Sequence, residues 1–303
     1  MRSPKSPAPI PITPALLRGW PLPRHDSSDD KEGRGRIYVV GGSAQIPGAI
    51  LLAALASLRA GAGQLKIATA RSVAPYVAVA VPEAWVVPLA ETAGGGLDPS
   101  SAGDITHDAN NADAVLFGPG MMDAGATSAL LHACLPQIGK PTLVLDAAPL
   151  ACLGDAPELL HGLKENVIVT PHAGEMASVL GRDKAEIKAD PLGAAREAAA
   201  RLKAVVAMKG SETFIAAPDG RVYVNRYGSI GLATSGSGDT LAGIIAGLAA
   251  RGADPVQATV WAVTLHARAG EVLARRVGPL GFLARELLAE IPALMAKMDG
   301  GKP

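Results

Sequence analysis

From about Gly35 onward, short apolar runs alternate with longer stretches in which apolar residues recur every three to four positions. The short runs are RIYVVG (36–41), QLKIAT (64–69), DAVLFG (113–118), TLVLDA (142–147), NVIVTP (166–171) and AVVAMKG (204–210). Their length and composition predict strands, and stretches such as GAILLAALASLRAG after the first run predict helices. Strand–helix alternation of this kind gives βαβ units, so the expected fold class is α/β: a mostly parallel central sheet with helices on both faces. ETFIAAPDGRVYVN (212–225) departs from the pattern, because Asp219-Gly220 between two alternating runs predicts a hairpin. After Gly238 three helical segments are expected, the last ending in FLARELLAEIPALMAKM. No self-similarity at solenoid periods is present. Residues 1–34 are rich in Pro, Asp and Ser and lack apolar periodicity, which predicts an N-terminal arm or lead-in. The fold is expected to start near Gly35 and to run as one domain over residues 35–303.

Composition narrows the partners. Lys plus Arg total 28 in the 303 residues and Asp plus Glu total 28, so no net field draws the chain to nucleic acid or to an anionic membrane. A small-molecule ligand is the expectation. The longest apolar stretches, such as AILLAALASL (49–58), stop well short of the roughly 18 residues of a membrane span. Prolines and polar residues follow Arg2 and Lys5 where a signal peptide would place its apolar segment. Cys134 and Cys152 have no metal-type spacing and fit a reducing compartment, so a cytoplasmic location is expected.

Ligands of open α/β sheets bind beyond the carboxyl ends of the strands, so the residues after each apolar run carry the most information. Gly41-Gly42-Ser43 follows the first run and Pro47-Gly48-Ala49 opens the next helix; glycines and free helix-start N–H groups suit a ligand, and equally a tight turn. Gly118-Pro119-Gly120 has the same two readings. In VTPHAGEM (169–176) His172 and Glu175 stand where a strand gives way to a helix. Thr170 is a candidate cap there, with Pro171 placed where its missing N–H costs least and Glu175 favouring the helix dipole. His172 is equally placed to hydrogen-bond a ligand.

TSGSGD (234–239) poses the sharpest question, because an acid follows a glycine turn suited to an anion. Gly236, Ser237 and Gly238 can aim several N–H groups at one point, and the apolar TLAGIIAGLAA that follows adds the positive end of a helix. Asp239 then reads either as a helix cap worth about 1 kcal/mol or as a base that takes a proton from an attacking hydroxyl.

At these residues the chain resembles the ADP/ATP-dependent NAD(P)H-hydrate dehydratases of the ribokinase-like superfamily, from about residue 36 to residue 295. The resemblance rests on VVGGSAQIPGAILLAALASLRAGAG, FGPGM, LVLDA, VTPHAGEM, Met208-Lys209-Gly210 with ATSGSGDTLAGIIAGL, and the ending GFLARELLAEIP, all in order. It implies a three-layer ribokinase-like sandwich. It also implies repair of hydrated NADH or NADPH: ADP or ATP phosphorylates the ring hydroxyl of the S-epimer, and phosphate is then eliminated. Asp239 becomes the catalytic base, and Gly236, Ser237 and Gly238 become the anion hole. Lys209, Gly210, Ser211, Glu212 and Thr213 line the nucleotide site with Gly238, whereas Ala49, Gly118, Gly120, His172 and Asp239 contact the hydrated cofactor. Mg²⁺ bridging the phosphates is implied by the chemistry, with no protein ligand named. A homo-oligomer is expected, working with a separate NAD(P)H-hydrate epimerase, since 34 leading residues leave no room for a fused one.

Two positions depart from the resemblance. The family's second acid, two residues after the one matched by Asp146, is Ala148 here, and the glycine before GSGD is Ser235. A vitamin-precursor kinase of the same superfamily would share GSGD but not the combination of GGSxxxPGA with TPHxGEM. An inactive nucleotide-binding subunit draws support from Ala148 and is opposed by Asp239. A hydrolase is remote, because no His and Asp partners for Ser237 are evident in the sequence.

Overall fold

The computed structural model describes residues 7–24, 31, 33–163 and 165–299. Ten strands form one sheet: β1 (Ile10–Pro11), β2 (Arg36–Val40), β3 (Gln64–Ala70), β4 (Ala84–Leu89), β5 (Ala114–Phe117), β6 (Thr142–Leu145), β7 (Val167–Val169), β8 (Val205–Met208), β9 (Thr213–Ala216) and β10 (Val222–Asn225). Their order is β1-β10-β9-β8-β7-β6-β5-β2-β3-β4. Pairing is parallel except where β9 joins β8 and β10 antiparallel. β9 and β10 are the expected hairpin: Ala217 N–H donates to Arg221 O, and Gly220 has a positive φ of 89°.

Alternation within the strands makes the three layers. In β2, Ile37 and Val39 face one core cluster and Tyr38 and Val40 face the other. Helices Pro47–Arg59, Ser237–Ala250, Pro255–Arg276 and Ala284–Met298 cover the first face. Helices Ala102–Ala109, Ala124–Cys134, Ala173–Leu180 and Pro191–Leu202 cover the second. The three helical segments expected after Gly238 are all present, the first beginning one residue earlier, at Ser237.

Two features differ from the sequence expectation. The strand at Ala84–Leu89 carries no clean alternation, because it is an edge strand with Trp85 largely exposed; Pro88, which has no N–H to donate, is tolerated there. The fold also begins well before Gly35. β1 pairs with β10, and Ile12, Leu17 and Leu22 are buried in the first core. Trp261 Nε1 donates to Trp20 O at 2.8 Å and Gln257 Nε2 to Pro21 O at 2.8 Å, so the described lead-in is packed against the long helix Pro255–Arg276. Its apolar residues are too few and too interrupted by proline to show periodicity.

The order of strands reverses at β2, from which β3 and β4 lie to one side and β5 to β8 to the other. Such a switch point leaves a crevice beyond the strand ends. The glycines after β2 and β5 face each other across it: Gly42 N–H donates to Pro119 O at 2.6 Å.

Candidate active site

Gly118 and Gly120 are needed at that crevice for the room they leave. A Cβ at Gly118, where φ is 127°, would lie 1.9 Å from Asp146 O; one at Gly120 would lie 2.5 Å from Ile46 O and 3.1 Å from Ala49 Cβ. Ala49, Gly120 and Gly42 therefore touch, and Gly118 abuts the end of β6.

The end of β6 carries Asp146, which is 3 % exposed. Its Oδ1 accepts from Thr170 Oγ1 at 2.6 Å and from Lys209 Nζ at 3.0 Å. Lys209 also lies 3.7 Å from Glu175 Oε2. The position a Cβ would take at Gly238 is 3.5 Å from Lys209 Nζ and 3.9 Å from Asp146 Oδ2, which brings the start of the Ser237–Ala250 helix against the same ammonium. Lys209, at the end of β8, is thus met by residues that follow β6, β7 and β10. Burial works against its charge, yet Asp146, Glu175 and Asp239 together raise its pKa.

Asp239 lies in the first turn of that helix, half-buried. Burial and the nearby Asp146 charge push its pKa up to about 6, against the opposing pull of Lys209 and of its own backbone N–H. Gly236 supplies the turn, with φ at 85°. Ser235, where the resemblance implies a glycine, sits without strain, because the left-handed position is Gly236 and Ser235 has no positive φ. Ser237 N–H is donated to Thr234 O at 3.3 Å, so the amide of Gly238 is the foremost open donor of the helix start.

The helix after β7 is capped by His172 rather than by Thr170. His172 Nδ1 accepts from the N–H groups of Gly174 and Glu175, each at 3.0 Å, while Glu175 Oε2 accepts from His172 N–H at 2.7 Å. Thr170 is turned instead onto Asp146. Because Nδ1 accepts two hydrogen bonds, the neutral ring carries its proton on Nε2 and presents a donor outward.

Ser237 does have a histidine partner, against expectation: its Oγ is 3.0 Å from His266 Nε2. The two are 29 residues apart, and a lone His in the apolar stretch WAVTLHARAG gave no sign of the meeting. Burial pushes the His266 pKa down to about 4, so the ring is neutral. Among the described residues no acid bonds its other nitrogen, and a hydrolytic triad is not formed.

A cavity of about 870 Å³ opens beside this centre. Lys209, Gly210, Ser211 and Thr213 line it together with Ser237, Gly238, Val263, His266 and His172. Glu212 does not line it: it pairs with Arg226, which does, at 2.6 Å, and lines a neighbouring cavity of about 560 Å³ that shares His172, Lys209, Gly210 and Ser211. Ala49, Gly118 and Gly120 do not line the larger cavity. Among the described residues no group of three His, Cys, Asp or Glu side chains is arranged to hold a metal ion. Asp146 and Glu175 face the Lys209 ammonium instead, so the seat between these two acids does not fit Mg²⁺.

Comparison with known proteins decides the family. Residues 37–293 match the family described as NAD(P)H-hydrate dehydratase. This chain belongs to the NAD(P)H-hydrate dehydratase family. A relative from Xanthomonas campestris, an ADP-dependent (S)-NAD(P)H-hydrate dehydratase, is 47 % identical over 292 residues, covering 96 % of this chain and 97 % of that one. A bifunctional NAD(P)H-hydrate repair enzyme of Moorella thermoacetica is 39 % identical; it is matched over 95 % of this chain and 54 % of its own length. The chain thus spans nearly all of the first relative and about half of the second. Among solved structures, the ADP/ATP-dependent NAD(P)H-hydrate dehydratase of Bacillus subtilis, co-crystallized with ATP/Mg²⁺, superposes with a TM-score of 0.79 at 30 % identity, covering 96 % of this chain and 98 % of that one. The ten-stranded sandwich is accordingly the ribokinase-like fold of this dehydratase family.

Proposed function

We propose that this chain uses ADP, or ATP, to dehydrate the S-epimer of hydrated NADH and NADPH. The observation that carries the chemistry is Asp239: a carboxylate with its pKa near 6, beside an ammonium, at a helix start with open N–H donors. A base poised near the working pH is what deprotonation of a hydroxyl requires. Asp239 takes the proton of the ring hydroxyl as its oxygen bonds to the terminal phosphorus of the nucleotide. The bond to the departing phosphate breaks, so ADP leaves as AMP. Lys209 and the helix-start amides of Gly238 and its neighbours hold the negative charge that spreads over the transferring group. The ring nitrogen lone pair then expels phosphate from the neighbouring carbon, and loss of a proton from the adjacent carbon restores the dihydropyridine. Hydroxide would leave poorly from that carbon, whereas phosphate leaves well. Mg²⁺ would neutralise phosphate charge, and no step here depends on a protein ligand for it.

The nucleotide belongs in the larger cavity, between Lys209–Thr213 and the start of the Ser237–Ala250 helix, because both of its phosphate-binding elements line that space. The hydrated ring belongs at the crevice of Ala49, Gly118 and Gly120, which Asp146 links to the helix start at Gly238. His172, in the lining of the cavity, donates from Nε2 to the hydrated cofactor. An epimerase activity supplies the S-epimer from the other; the longer relatives are named bifunctional NAD(P)H-hydrate repair enzymes. The protein works in the cytoplasm as a homo-oligomer.

The direct assay offers hydrated NADH with ADP or ATP and follows recovery of absorbance by the reduced ring. Wild-type protein restores it, and Asp239→Asn loses turnover by about 10² or more; near-normal turnover in that variant leaves Asp239 no part in the chemistry. His172→Ala raises the apparent KM for the hydrate much more than that for ADP, as expected for lost uniform binding. A rise confined to ADP would exchange the two subsites.

A further inference from the structure

Lys209 Nζ occupies the point toward which the acids of the site converge. Asp146 Oδ1 is committed to it at 3.0 Å and to Thr170 Oγ1 at 2.6 Å. Glu175 Oε2 lies 3.7 Å from it and also accepts from His172 N–H at 2.7 Å. The Lys209 side chain is 20 % exposed and that of Asp146 4 %, so this is an enclosed ion pair and not a surface contact. A divalent cation seated between Asp146 Oδ1 and Glu175 Oε2 would stand where the ammonium stands, with oxygens at about 2.0–2.1 Å for Mg²⁺. An ammonium already bonded to Asp146 and close to Glu175 excludes it by volume and by charge.

The backbone fixes the lysine in this seat. Lys209 N–H donates to Pro171 O at 2.8 Å, which ties the end of β8 to the loop that carries Thr170 and Glu175. The lysine and the loop of Thr170 and Glu175 therefore cannot separate without breaking the pairing of the interior strands β7 and β8 at their carboxyl ends.

We propose that Lys209 is the resident cation of this site, so that the nucleotide-free protein takes no divalent cation between Asp146 and Glu175, and Mg²⁺ enters and leaves only with the phosphates of the nucleotide. The first part stands on the ion-pair geometry alone; the second rests on the nucleotide-site reading above. Asp146 is on this view a positioning residue, which holds the ammonium where its charge acts on both the phosphates and Asp239.

The test uses Mn²⁺ alone as a paramagnetic probe of the full-length, nucleotide-free protein. Wild type shows no bound Mn²⁺ below about 1 mM, whereas Lys209→Ala, with the two carboxylates uncovered, binds it about tenfold or more tightly than wild type. Lys209→Arg keeps a cation in place and binds none, and the double variant Lys209→Ala/Asp146→Asn loses the gained site. If Lys209→Ala is too unstable to isolate, a melting temperature restored by Mn²⁺ and not by Na⁺ at equal ionic strength reports the same gain. Tight Mn²⁺ binding by wild type that Asp146→Asn removes would overturn the proposal, as would a Lys209→Ala variant that folds and gains no affinity. Addition of ADP then separates the two readings. Wild type that binds neither Mn²⁺ nor ADP leaves the ion-pair seat intact and removes the nucleotide site, whereas Mn²⁺ bound without ADP removes the seat alone.

Discussion

Among the influences on the pKa of Asp239 are two charged neighbours that can each be removed singly, Asp146 and Lys209. Burial and Asp146 raise it toward 6; Lys209 lowers it. If the ionised form is the base, the acidic limb of kcat/KM falls near pH 6 in wild type. Removing the negative neighbour with Asp146→Asn moves that limb down, and removing the positive one with Lys209→Met moves it up. Limbs that stay in place in both variants would show that another group governs the profile. The same shift has a cost in stability. A carboxyl raised from 3.8 to about 6 is protonated more readily in the folded than in the unfolded chain, so its destabilising effect is absent below pH 4 and complete above pH 6. Asp239→Asn is therefore expected to lose turnover while melting no lower than wild type at neutral pH, the pattern of a residue kept for chemistry.

Among the helices, the one pair that positions both halves of the site is Pro47–Arg59 against Ser237–Ala250. Ala49 lies in the first turn of one and Asp239 in the first turn of the other. Their closeness depends on small residues. A Cβ on Gly243 would sit 2.2 Å from Ala53 O, and one on Gly247 would sit 2.4 Å from Ser57 O and 2.9 Å from Ala60 Cβ. Two effects compete in Gly247→Ala. Helix propensity favours alanine by about 1 kcal/mol, while overpacking against backbone costs about 1–3 kcal/mol. A backbone oxygen at 2.4 Å cannot move without its helix, so the overpacking wins. Gly247→Ala should lower the melting temperature and reduce kcat together. A variant that melts higher would show that the helices have slack.

At the scale of the whole molecule, the described lead-in behaves as part of the core. Burying a leucine or isoleucine side chain stabilises by roughly 1.5–3 kcal/mol, and Ile12, Leu17 and Leu22 are all buried. Trp20 adds a ring contact with Tyr223, centroids 5.9 Å apart, and its carbonyl accepts from Trp261. Deleting residues 1–22 uncovers Trp261 and the edge of β10. A drop in melting temperature and a tendency to aggregate are expected in thermal melts and light scattering; an unchanged melt would make the segment a dispensable arm.

What the sequence determined by itself was whatever is encoded locally. Apolar runs of four to seven residues announced β2, β3 and β5 to β8, and Asp219-Gly220 announced the hairpin, because strand period and turn chemistry act over a few neighbours. Asp239 behind Gly236-Ser237-Gly238 was legible for the same reason: the turn, the helix start and the acid are contiguous. The tertiary structure alone decided what depends on distant segments meeting. It placed Asp146 against Lys209 63 residues on, His266 against Ser237, and Trp20 against a helix 241 residues away from it. It also moved the cap of the Ala173–Leu180 helix from Thr170 to His172, since Thr170 was claimed by Asp146 from the neighbouring strand end. Local pattern fixes which residues can form each element. Which of their polar groups remain free for chemistry is settled only when the sheet aligns the strand ends and lets buried charges find their partners.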